Sequence, residues 1–81
     1  SIGRNGHAAL SDKEKMDSIS DRELQVMKFL TKGMGNQEIS HNLNISSKTV
    51  ATYKFRLFEK LGINNVTDLI AFCRNNHLIE G

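Results

Sequence analysis

Between Asn36 and Leu61 the chain reads NQEISHNLNISSKTVATYKFRLFEKL, and this stretch constrains the fold more than any other. Ile39 and Leu43 form an apolar i, i+4 pair, and Asn36 is placed to cap the helix that carries them, over about residues 36–42. The helical pattern then breaks at LNIS. Asn44 tolerates the left-handed conformation that a sharp turn needs, and Ile45 can plug the angle between two helices. Ser46 is a strong N-cap for a longer helix that stops at Gly62. Stepping 100° per residue from Val50, Leu57 and Leu61 fall within about 20° and Tyr53 about 60° away, so these four form a buried stripe. A short helix, a tight turn and a longer helix is the geometry that can set a rod of side chains into a DNA major groove.

The flanking sequence supplies helices to cover that pair. Ser20 and Glu23 form an S-x-x-E capping box, with Ile19 and Leu24 at the positions of a hydrophobic staple. Leu24, Met27 and Leu30 recur at helical spacing, Val26 and Phe29 widen the stripe, and Gly33 is a natural stop. A last helix begins near Asn65, with Asp68 at its third position and a core stripe of Val66, Leu69, Ile70 and Cys73. Thr67, Ala71 and Arg74 lie on a different face of it, and Leu78 and Ile79 can fold back on the core. The sequence therefore predicts an all-α, four-helix domain over residues 19–81. Residues 1–18, with Gly3, Gly6 and little periodicity, read as a flexible tail or linker with a short helical turn in SDKEKMD. Such a ragged start is what remains when a linker is severed from a longer protein.

Composition excludes several classes. Eighty-one residues make one small domain with a thin core. No apolar run nears the ~20 residues that span a bilayer, so no membrane role is expected. The start SIGRNGHAAL lacks the basic-then-apolar order of a signal peptide. Lone Cys73 cannot form an internal disulfide, which suits a cytoplasmic protein, and its apolar helical face marks an inert core thiol. His7, His41 and His77 are far apart and no Cys/His pair has ligand spacing, so no metal or other cofactor is expected. No residue set supports catalysis.

The net charge of +2 is weak evidence by itself, but its distribution is not uniform. Residues 11–23 carry a local balance of −2 and residues 43–62 a balance of +3, with Lys48, Lys54, Arg56 and Lys60 against Glu59. Basic charge is thus focused on one element, as a nucleic-acid footprint requires. On the far side of that helix from Val50 lie Lys48, Ala51, Thr52, Phe55, Arg56 and Glu59. Lys48, Thr49, Lys54 and Arg56 can reach phosphates or base acceptors, and Ala51 and Thr52 are small enough for close approach to the groove. Phe55, about 140° from the core stripe, should be wet in the free domain, and contact with a thymine methyl would explain it. Ser46, Ser47 and the free N–H groups of the helix start can hold a phosphate. The competing reading of the same basic face is a helical protein-interaction module that meets an acidic partner.

The runs ISDRELQVMKFLTKG, NQEISHNLNISSKTVATYKFRLFEKLGI and NVTDLIAFCRNNHLI resemble the LuxR-type (NarL/FixJ, GerE-like) helix-turn-helix output domain of bacterial two-component response regulators. KTVATYKFRLFEKLG is the specific part. The closest subgroup is the BvgA/EvgA-like one, which carries tyrosine and lysine where most relatives have histidine and an apolar residue; here these are Tyr53 and Lys54. The resemblance implies a domain that binds double-stranded DNA sequence-specifically and regulates transcription. It implies that Ala51, Thr52 and Phe55 face base edges, and that Lys48, Thr49, Lys54 and Arg56 lie near the backbone or groove. It also implies a homodimer through the fourth helix, on the face that holds Thr67, Ala71 and Arg74. Finally, it implies an N-terminal receiver domain in the full-length protein, outside these residues, with residues 1–18 as the linker.

Overall fold

The computed structural model describes residues 11–79. Within them the chain forms five helices and no strand: α1 Asp12–Asp17, α2 Asp21–Thr31, α3 Asn36–Leu43, α4 Ser47–Leu61 and α5 Val66–Asn75. The all-α class is as expected, with one helix more than periodicity indicated. The additional helix is α1, where SDKEKMD forms a regular helix and not an isolated turn. Ser11 and Glu14 close a capping box at its start, the same device that Ser20 and Glu23 use for α2. Met16 then packs against the core, and Asn76 Nδ2 donates to Asp12 Oδ2 at 2.9 Å. Residues 11–18 are therefore part of the folded unit, and the rest of the stretch read as a tail, residues 1–10, lies outside the described residues.

Helix α4 is the spine. It packs against α2 and α3, and α1 also touches it, while α5 closes over α2. Val26, Met27, Leu30, Ile39, Val50, Leu57, Leu61, Leu69, Phe72 and Cys73 are buried together. Each buried leucine contributes roughly 2 kcal/mol by leaving water. Ile19, Leu24, Tyr53 and Ile79 pack against the edge of this cluster, as their positions in the sequence suggested. Helix α5 differs in detail. Its buried stripe is Leu69, Phe72 and Cys73, so Phe72 takes a core place that Val66 and Ile70 were expected to fill; those two are half-buried. Leu78 remains 39% exposed.

The turn between α3 and α4 follows from two backbone choices. Asn44 adopts φ 57, ψ 45, and the Ile45 amide reaches back to the Ser40 carbonyl at 3.0 Å. This left-handed closure stops α3 and redirects the chain. Ser46 then caps α4 through its side chain, which accepts from the Thr49 amide at 3.1 Å. At the other end Gly62 has φ 70, and the Ile63 amide bonds the Phe58 carbonyl at 3.0 Å. One boundary is shifted: α3 is capped by the extended backbone of Gly35, and Asn36 is its first helical residue.

Candidate nucleic-acid interface

Helix α4 divides its residues cleanly. Val50, Leu57 and Leu61 point into the core. Ser47, Lys48, Ala51, Thr52, Phe55 and Arg56 are exposed, and Thr49 and Lys54 are half-buried. Six of the eight expected contact residues are thus uncovered, and Thr49 and Lys54 lie partly against the body of the domain. Phe55 stands out at 67% exposure on a surface that is otherwise polar or small. The threonine hydroxyls are already engaged: Thr52 Oγ1 donates to the Lys48 carbonyl at 3.2 Å, and Thr49 Oγ1 pairs with Ser46 Oγ at 2.8 Å. Lys54 lays its ammonium 5.7 Å from the Phe58 ring centroid, which holds its stem along the helix and keeps its charge at the surface.

The fourth base of α4 does something else. Lys60 Nζ donates to Glu23 Oε1 at 2.7 Å and to the Ser18 carbonyl at 2.8 Å. Glu23 is a buried carboxylate whose Oε1 also accepts from the Ser20 amide at 2.9 Å. Burial pushes its pKa up, but the hydrogen bond and charge of Lys60, together with the Ser20 bonds, outweigh that and hold it below the usual glutamate value. Counting charges along the helix missed this pair. The 100° step gave no signal for it: Lys60 lies about 80° from Val50 and Lys54 about 40°, so only the partner across the fold sets Lys60 apart. The exposed bases of α4 are therefore Lys48 and Arg56, with half-buried Lys54 at the edge of the face and exposed Glu59 as its acid.

On α5, Thr67, Ala71 and Arg74 are all exposed, on the side away from Leu69, Phe72 and Cys73. Their spacing of four and three residues aligns them in one stripe. Burial pushes the Cys73 thiol up, consistent with an unreactive core sulfur. Among the described residues no group of three or more His, Cys, Asp or Glu could hold a metal, and no helix is long and apolar enough to cross a membrane. His7 lies outside the described residues.

The family model for bacterial regulatory proteins of the luxR family (GerE) matches residues 17–73, from the end of α1 to the buried Cys73. The chain belongs to the luxR family. It is accordingly a DNA-binding domain of the transcription-regulator kind, and not a member of an enzyme family. The DNA-binding transcriptional activator EvgA of Escherichia coli is 40% identical over 78 residues, covering 96% of this chain and 38% of EvgA. The virulence-factor transcription regulator BvgA of Bordetella pertussis is 40% identical over 75 residues, covering 93% of this chain and 36% of BvgA. Full-length FixJ from B. japonicum superposes with a TM-score of 0.76 at 26% identity, covering 84% of this chain and 34% of FixJ. The luxR-type chain thus spans little more than a third of the length of the relatives it matches.

Proposed function

We propose that this domain is the output half of a two-component response regulator, and that it binds double-stranded DNA sequence-specifically by laying α4 in the major groove. The observation that carries the proposal is the uncovered side of α4. Two bases, two small residues and one aromatic share a face that the domain's own packing leaves open, with half-buried Lys54 at its edge, while Lys60 is committed internally. In this reading Lys48, Lys54 and Arg56, with Ser47 and Thr49 at the helix start, meet phosphates and groove edges. Ala51, Thr52 and Phe55 meet the bases. The left-handed turn at Asn44 sets α3 against α4, so that α3 can brace across the backbone as α4 enters the groove.

Two copies are expected per site, paired through the α5 stripe of Thr67, Ala71 and Arg74. The small side chains at two of those positions allow close approach, and pairing doubles a contact that one short helix would make weakly. EvgA and BvgA are each matched over little more than a third of their length, which leaves room for a further domain, and this reading assigns it as a receiver on the N-terminal side in the full-length protein. The test is fluorescence anisotropy with a duplex selected from a random pool and a scrambled control. Tight, salt-sensitive preference for the selected duplex is expected; equal and negligible binding to both at about 100 mM salt would overturn the reading and favour an acidic protein partner.

A further inference from the structure

We propose that Ala51, Thr52 and Phe55 form a reader of pyrimidine C5-methyl groups, so that the domain discriminates thymine from uracil and 5-methylcytosine from cytosine. The inference rests on the DNA-binding reading above and names the chemical feature that the same face grips.

Three observations converge on it. Phe55 is one of two large apolar side chains left exposed among the described residues, and it sits at the centre of the outward face, within about 40° of Lys48, Ala51 and Glu59. Two open hollows adjoin its side chain, and Phe58 and Asn64 line both. A methyl group pushed into either would leave water against aromatic carbon. Lastly, the strip has no proton to give. Ala51 and Phe55 carry no donor, and the Thr52 hydroxyl spends its proton on the Lys48 carbonyl. Guanine offers the major groove two acceptors, which call for a donor; thymine offers a methyl, which calls for an apolar surface. Three side chains without a free donor, one of them an exposed ring, match the second demand, although Lys54 and Asn64 bring donors to the hollows beside it. In this reading Lys48, Lys54 and Arg56, placed around it, supply affinity for phosphates.

The test starts from a duplex that this chain selects from a random pool. Each thymine is replaced singly by deoxyuridine, which deletes only the methyl, and affinity is measured by anisotropy at fixed salt. At one or more positions in each half-site the loss should be about fourfold, the worth of one buried methyl. Phe55→Ala, with circular dichroism matching the parent, should abolish the thymine–uracil difference at that position. There, 5-methylcytosine should bind better than cytosine by a similar factor. Equal affinity for thymine and uracil at every position, with the selected duplex still preferred over a scrambled one, would refute the methyl reader and leave DNA binding intact. A thymine–uracil difference that persists unchanged in Phe55→Ala would also refute it, and would assign the ring to another partner. A pool that yields no bound duplex would remove the DNA reading and this inference together.

Discussion

Lys60 and Glu23, 37 positions apart in sequence, meet at 2.7 Å, and the same ammonium holds the Ser18 carbonyl at 2.8 Å. One side chain from the end of α4 thereby ties down the α1–α2 junction and the cap of α2. The Glu23 side chain is 3% exposed and that of Lys60 35%, so the pair sits at the rim with its acid inside. Breaking a fully buried pair costs about 3–5 kcal/mol. Solvent reaches Lys60 and lowers that figure. Lys60→Met should therefore destabilise the domain by roughly 2 kcal/mol, read as a lower urea midpoint with an unchanged slope. An unchanged midpoint would mean that the bond contributes nothing to stability.

The depressed pKa of Glu23 has a defined consequence for acid stability. A carboxylate held below its unfolded value stabilises the fold above that value, and the contribution fades as pH falls through the folded pKa. Parent stability should thus drop as pH falls from about 5 through the lowered folded pKa. Glu23→Gln keeps a capping amide but removes the titration, so its stability profile should be flatter across that window, from a lower plateau at neutral pH. Parallel profiles from chemical denaturation at several pH values would rule out Glu23 as the source.

Lys54→Ala and Arg56→Ala should weaken binding to selected and scrambled duplexes alike. Each should also reduce the slope of log affinity against log salt by roughly one if it removes one phosphate contact. Titrations at four salt concentrations provide the check. Unchanged slopes in both variants would move the phosphate contacts to other residues.

If α5 pairs as proposed, Ala71→Glu should prevent pairing on DNA, since it would set a bulky charge into that close helix contact. Sedimentation of the variant with a selected duplex should give one copy per site at most. Two copies per site would exclude this face as the interface.

Gly62→Ala should cost about 1–2 kcal/mol, because φ is 70 there and the added carbon gains nothing: its nearest neighbour is Lys15 Nζ at 3.9 Å. Thermal melts of parent and variant settle it, and equal midpoints would argue that the turn relaxes.

Much of this architecture is legible in local chemistry. Ser46, Asn44 and Gly62 mark the bounds of α4 because caps and left-handed turns are set by residues within one helical turn. The outward face of α4 follows from its 100° step. What escaped periodicity depends on distance in sequence. Helix α1 has six residues, too few to show a stripe, although Ser11 and Glu14 repeat the S-x-x-E box that announces α2. The burial of Phe72 reflects how α5 rotates onto α2, which no window of α5 alone reports. The Lys60–Glu23 bond joins two elements whose approach exists only after folding.

The length of α4 has an informational consequence. From Lys48 to Arg56 the rod advances about 12 Å, enough to span three or four base pairs. A word of that size recurs roughly every 60 to 260 base pairs in random sequence, so one such rod cannot pick a single address in a chromosome. In the pairing proposed above, further selectivity would come from reading two short words together and from the spacing between them.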